Sequence, residues 1–149
     1  MSRTPNNLKV LLAQGAVDFE NDDFRIILMQ PGFTFTRASH ALYANILANE
    51  LADGNGYTAG GNLLAGVAVT QDNIENAGII TWNNMAWTAA GTNLETSGAI
   101  IYNDTLVAPN EDAIMTYINF GETITILDGG NFTLANIFMA ILDRVDLES

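Results

Sequence analysis

The spacing of hydrophobic and polar positions changes along this chain, and each change marks a predicted element. From Leu8 to Leu12 apolar residues recur at partly helical spacing, with Asn6 or Asn7 placed to cap the turn and Gly15 to end it. The acidic, turn-prone segment Asp18-Phe19-Glu20-Asn21-Asp22-Asp23 follows. Next comes Phe24-Arg25-Ile26-Ile27-Leu28-Met29, an apolar run rich in strand formers that Pro31-Gly32 stops. Phe33-Thr34-Phe35-Thr36 alternates briefly. Between Ser39 and Leu51 the pattern is ambiguous, because Leu42, Ile46 and Leu47 suit a helix. A short helix from Ser39 to about Ala44, then an extended piece to Leu51, is the expectation there.

The stretch from Gly54 to Gly66 packs five of the thirteen glycines around Tyr57 and runs into Val67-Ala68-Val69. Glycine supplies backbone angles that other residues resist, so this reads as paired tight turns feeding a strand. Beyond it, turn signals recur at intervals suited to an antiparallel β domain. Strands are predicted at 67–70, 78–82, 85–88, 98–102, 114–120, 122–127 and 132–142, with Gly121 separating two of them. Asp128-Gly129-Gly130-Asn131 reads as a hairpin turn. In the last segment Leu134, Ile137, Phe138, Ile141, Leu142 and Val145 also fit helical spacing. Its Phe and Ile content and the preceding Gly-Gly turn favour a strand, and periodicity alone leaves both open.

A length of 149 residues is one domain, residues 1–149, with 1–7 expected as a flexible N-terminal arm and 137–149 as a possible C-terminal arm. The expected fold class is mainly β: an antiparallel β-sandwich or jelly-roll-like body with one or two short N-terminal helices. Seventeen acidic against five basic residues give a net charge of −12. That charge repels nucleic acid and anionic membrane surfaces, so neither is expected as a partner, whereas a protein with a basic patch fits. Cysteine is absent, which removes disulfides, thiolate catalysis and cysteine-based zinc sites. The polar start Met1-Ser2-Arg3-Thr4-Pro5-Asn6-Asn7 resembles no signal peptide, and synthesis in a cytoplasm is the expectation.

Candidate chemistry is sparse. The single histidine, His40, has no cysteine or second histidine to build a metal site, and Gly-x-Ser-x-Gly is missing, so a polar surface or capping histidine is favoured over a triad member. Acidic pairs at Glu20/Asp22/Asp23, Glu50/Asp53, Glu111/Asp112 and Asp143/Asp146 read as solvated loops rather than glycosidase carboxylates. Asp53-Gly54-Asn55-Gly56 and Asp72-Asn73-Ile74-Glu75-Asn76 cluster oxygen atoms, yet neither matches a calcium loop with its terminal Glu. Gly54-x-Gly56-x-x-x-Gly60 is one residue off a dinucleotide fingerprint and precedes a strand where a phosphate cradle needs a helix. No catalytic residue, cofactor or metal is therefore assigned. Trp82 and Trp87, five apart, suit either a sugar platform or core and interface packing.

One resemblance narrows the reading. The N-terminal helix and Val17-Asp18-Phe19-Glu20-Asn21-Asp22-Asp23-Phe24-Arg25-Ile26-Ile27-Leu28 open it, followed by His40-Ala41-Leu42-Tyr43-Ala44 and Gly54-Asn55-Gly56-Tyr57-Thr58-Ala59-Gly60-Gly61. It continues through Val67-Ala68-Val69-Thr70, Trp87-Thr88 and Ala99-Ile100-Ile101-Tyr102-Asn103-Asp104-Thr105. Tyr117-Ile118-Asn119-Phe120-Gly121 and Gly130-Asn131-Phe132-Thr133-Leu134 complete it. In this order the segments resemble a family of small tailed-phage virion structural proteins, encoded among head and tail genes. The segment Ile137 to Ser149 departs from that pattern, being longer and more apolar.

The resemblance implies a structural virion role and no enzyme. The leading expectation is a capsid decoration (cement) protein on the head surface, forming a homo-oligomer, expected as a trimer, and bridging subunits of the major capsid protein. Trp82, Trp87, Tyr102 and Phe138 are the candidate interface anchors, since aromatics dominate such contacts; the bland reading of each is core packing. A tail, neck or fibre component is the alternative, and a carbohydrate-binding module using Trp82 and Trp87 is a further one.

Overall fold

The computed structural model describes residues 2–142. The fold is mainly β and antiparallel, with one short α-helix near the N-terminus, in a single β-sandwich-like body. In chain order the elements are β1 (Ser2–Arg3), α1 (Asn6–Ala13), β2 (Phe24–Met29), β3 (Asn62–Leu63), β4 (Ala68–Asp72), β5 (Ala77–Trp82), β6 (Met85–Thr88), β7 (Leu94–Asn103), β8 (Ile114–Ile126), β9 (Asn131–Leu134) and β10 (Ile137–Leu142). They form a five-stranded sheet in the order β1-β8-β7-β2-β3, a three-stranded sheet β10-β5-β4 and a two-stranded pair β6-β9.

The near-continuous apolar run of β2 has a direct cause: both of its faces are covered. Phe24, Ile26 and Leu28 point into a core with Ala99 and Ile101 of β7, Leu8 and Leu11 of α1, and Ile80, Trp82, Trp87, Ile137 and Met139 of the smaller sheets. Ile27 and Met29 point the other way, joining Ile100, Tyr102, Ile114 and Tyr117 beneath Phe35 and Ile46 of the segment after β2. A strand buried on both sides cannot alternate polar and apolar residues, and this one does not.

The smaller sheets are two halves of one ribbon. Trp82 pairs with Ile137 and Met85 with Leu134, so the register carries across Asn83-Asn84 and Ala135-Asn136, where ladder pairing lapses. The predicted strand at 132–142 is thus broken at Ala135-Asn136 into β9 and β10, and Asn136 takes a positive φ. The helical alternative for this segment fails as far as Leu142 because β5 and β6 supply partners along its length. Residues 143–149, including Asp143, Val145, Asp146 and most of the expected C-terminal arm, lie outside the described residues.

Three other expectations are corrected. Gly121 does not separate two strands: β8 runs through it, and Ser97 alone stands opposite Phe120, Gly121, Glu122 and Thr123 in a wide irregularity of the β7–β8 pairing. Asp128-Gly129-Gly130-Asn131 is a turn, closed by the Gly130 N–H donating to the Leu127 carbonyl at 2.7 Å, but β8 and β9 lie in different sheets, so it is no hairpin. The expected N-terminal arm is docked from Ser2 onward. Ser2 and Arg3 pair with Ile118 and Tyr117, and the Asn6 N–H donates to the Arg37 carbonyl at 3.0 Å.

Local signals explain the helical parts. Helix α1 buries Leu8 and Leu11, spaced three apart on one face, and leaves Val10 exposed. Pro5 occupies the N-cap position, so neither Asn6 nor Asn7 caps by its side chain. At the other end the Ala16 N–H reaches the Leu11 carbonyl past Gly15, a closure typical of helix ends. The helix expected from Ser39 to Ala44 is replaced by 3₁₀ turns at Tyr43–Asn45 and Leu47–Asn49. Leu42 pairs instead with Ala113, and the Asn45 side-chain oxygen accepts from the Ala41 and Leu42 amides, which diverts the backbone from a helix.

Candidate functional site

The glycine-rich stretch closes over a buried carboxylate. Leu51 donates to the Leu28 carbonyl and Glu50 bridges Met29, so the end of β2 draws the Glu50 side chain inward until the residue is only 6% exposed. The Gly60 N–H donates to its Oε2 at 2.9 Å and the Tyr57 hydroxyl donates to the same oxygen at 2.5 Å. The Tyr43 hydroxyl donates to Oε1. Tyr57 in turn accepts from the Leu28 N–H, and the Tyr102 hydroxyl donates to the Gly60 carbonyl at 2.6 Å. Tyr43 stacks on Tyr102 with ring centroids 4.8 Å apart.

Among the described residues no cation bonds to Glu50, and the ion pair is Arg25 with Asp104 at 2.7 Å, Arg25 standing opposite Tyr102 in the β2–β7 pairing. Burial, then hydrogen bonding to Glu50, holds the Tyr43 and Tyr57 phenols well above their ordinary range. Burial and the nearby Asp104 charge push Tyr102 up to about 12. Phenols that stay protonated are permanent donors, and together with one amide they satisfy a buried carboxylate without a counter-ion. The arrangement clamps the loop 53–61 to β2. Sequence reasoning placed Glu50 in a solvated loop with Asp53, and that expectation is corrected. Asp53 remains exposed and accepts from the Ala59 N–H at 2.9 Å.

The structure puts three of the four aromatic anchor candidates in the interior. Trp82 is buried against Phe24, with centroids 5.5 Å apart; Trp87 is buried against Phe132; and Tyr102 is buried under Tyr43. Their sequence environment of alternating apolar strands turned them inward, so they are core residues here and the two tryptophans offer no sugar platform. Phe138 is different. It is 47% exposed, on the side of β10 opposite the buried Ile137 and Met139.

Around Phe138 the β10-β5-β4 sheet presents a weakly charged outer face. Cross-strand rows place Phe138 beside Thr81 and Ala68, Ala140 beside Ile79 and Thr70, and Leu142 beside Ala77 and Asp72. Asp72 is the one charged residue in these rows. The edge strand β4 is exposed along most of its length, and Ile74 at the tip of the β4–β5 turn is 88% exposed. Edge strands of stable monomers are commonly guarded by lysine, proline or a bulge, none of which occurs within β4.

The remaining candidates serve turns. Asp72 Oδ1 accepts from the Ile74 and Glu75 amides, shaping the β4–β5 connection. No group of three or more His, Asp or Glu side chains is placed to hold a metal ion among the described residues. His40 packs between Phe33 and Phe35, and its Nδ1 accepts from the Thr36 N–H at 2.9 Å, fixing the neutral ring with the proton on Nε2.

Burial lowers the His40 pKa from the ordinary 6.5. The unfolded chain therefore binds this proton first as pH falls. The His40 contribution to stability is complete above the unfolded value and is lost as pH drops through the folded one. An NMR titration of the imidazole should give a midpoint below 6.5, the ordinary value; a midpoint at or above it would contradict the packing described.

No protein-family model matches the chain, and neither a curated protein nor a solved structure matches it.

Proposed function

We propose that this chain is a tailed-phage virion structural protein, a capsid decoration protein whose trimers bridge neighbouring major capsid subunits on the head surface. The observation that carries this reading is the outer face of the β10-β5-β4 sheet, which among the described residues holds a single charged residue in its cross-strand rows, in a chain with a net charge of −12. A partly exposed face so depleted of charge on an acidic body is suited to docking against a protein surface. The collinear segments that resemble phage virion proteins supply the identity of that surface.

The mechanism is additive contact. Covering the exposed half of Phe138 contributes about 1 kcal/mol, roughly half the worth of burying a whole side chain of this size. Three such faces on one trimer bind together far more tightly than one, because the second and third attachments are intramolecular. Spread over a shell, these contacts oppose the outward pressure of packaged DNA.

Phe138→Thr tests the docking face. Threonine keeps strand propensity at an exposed position, so the monomer should unfold within about 1 kcal/mol of the parent. Binding to shells stripped of this protein should weaken by about tenfold or more, as expected for loss of an apolar anchor. Undiminished binding by the folded variant would remove this face from the interface.

A further inference from the structure

A second surface feature lies where the segment Leu42–Leu47 meets the loop before β8. An open cleft of about 370 Å³ is lined there by Leu42, Tyr43, Leu47 and Pro109, with Glu111 and Asp112 at the same site. The cleft is open to solvent and has room for a side chain. Its walls are held in place. Leu42 bridges Ala113, the Tyr43 N–H donates to the Asp112 carbonyl at 2.9 Å, and Asn7 of α1 donates to Asn110 at 3.3 Å.

The charge in this cleft is unbalanced. Among the described residues no basic side chain lines it. Arg25, whose charge acts on Asp112, is engaged by Asp104 at 2.7 Å. Burial first, then the neighbouring Asp104 and Glu111 charges, holds the Asp112 carboxyl above its usual range. Asp112 shares a side-chain hydrogen bond with Asp104, so acidic groups outnumber the one cation that acts on it, Arg25. A purely apolar occupant would desolvate Glu111 and Asp112 without adding a cation, and an anion would be repelled. A bound metal ion would need a third oxygen-bearing side chain, and no such group of three is found among the described residues.

We propose that this cleft receives a lysine side chain presented by a partner protein. The alkyl stem lies along Leu42, Leu47 and Pro109, and the ammonium group meets Glu111 and Asp112. Long cationic side chains commonly bury their stems and keep their charged heads on polar groups, and charge-assisted hydrogen bonds to carboxylates are the strong ones. A lysine on any protein partner meets the same chemistry, so this role stands apart from a virion one.

The test is an NMR titration of the full chain with N-acetyl-lysine methylamide, against N-acetyl-norleucine methylamide as its uncharged counterpart. Saturable shifts in the amides of residues 42–47 and 108–113 are expected with the lysine probe, with affinity about tenfold or more above that for norleucine, the worth of one charge-assisted hydrogen bond. The double variant E111Q/D112N should lose that preference. Asparagine tolerates the positive φ of 52° at position 112, so the loop is retained. Equal binding of the two probes, no localised shifts with lysine, or an unchanged preference in the folded double variant would each overturn the proposal. The probe comparison uses the unaltered chain and decides the matter even if the variant is unstable.

Discussion

Glu50→Ala is expected to lower the unfolding free energy by about 3–5 kcal/mol, the cost of leaving several buried donors without their shared acceptor. The substitution takes the acceptor away from the Tyr43 hydroxyl, the Tyr57 hydroxyl and the Gly60 N–H at once. Each donor left buried without a partner costs about 1–3 kcal/mol, partly relieved where water can enter. Glu50→Gln should be milder, by about 1–2 kcal/mol, because an amide oxygen still accepts from Tyr57 and Gly60 while its NH₂ can donate to the Tyr43 oxygen. Urea denaturation of the three proteins measures this directly. An alanine variant within about 1 kcal/mol of the parent would mean the carboxylate is not the clamp described.

Gly61→Ala should be comparably severe, at about 3 kcal/mol or more. Gly61 sits at a φ of +80°, and a Cβ there would lie 2.1 Å from the Ile26 carbonyl oxygen and 2.7 Å from Ile27 Cγ2. Both belong to β2, the strand buried on both faces, which cannot retreat without disturbing two cores at once. Gly129 is the internal control. Its φ is +81°, yet nothing lies within 4 Å of its would-be Cβ. Gly129→Ala should therefore cost only the backbone strain, about 1 kcal/mol. Equal losses in thermal unfolding for the two variants would show that close packing against β2 is not what position 61 demands.

These two sites mark the boundary of what the sequence makes legible. β2 is readable because a doubly buried strand must be apolar throughout and because acidic and Pro-Gly turns bound it. β5 and β6 are readable for similar reasons, and their limits fall within a residue of expectation. β7 begins earlier than expected, at Leu94. The alternation in Leu94-Glu95-Thr96 was a usable signal, with Leu94 and Thr96 buried and Glu95 exposed. Gly121 misled because a glycine inside a strand pattern marks either a boundary or a bulge, and only the β7 partner decides between them. The break at Ala135-Asn136 depends in the same way on a long-range register with β5 and β6.

Glu50 was illegible for a different reason. An acidic residue in a polar-looking segment reads as solvated, and its burial depends on Tyr43 and Tyr57, each seven positions away through irregular turns. No regular period connects such positions. The aromatic anchors show the converse: tryptophan and tyrosine in short strands signal burial without saying whether a neighbour or the chain's own core provides it. Here the core covers Trp82, Trp87 and Tyr102, and Phe138 alone of the four is left on the surface.

The most direct test of the proposed virion role is the copy number of this chain, by quantitative mass spectrometry against the major capsid protein, in virus particles purified from the source that encodes it. Copies stoichiometric with the major capsid protein are the predicted result, since a decoration protein covers the whole shell. A handful of copies per particle would contradict decoration and place the chain at a single vertex, and absence from the particle would contradict a virion role altogether.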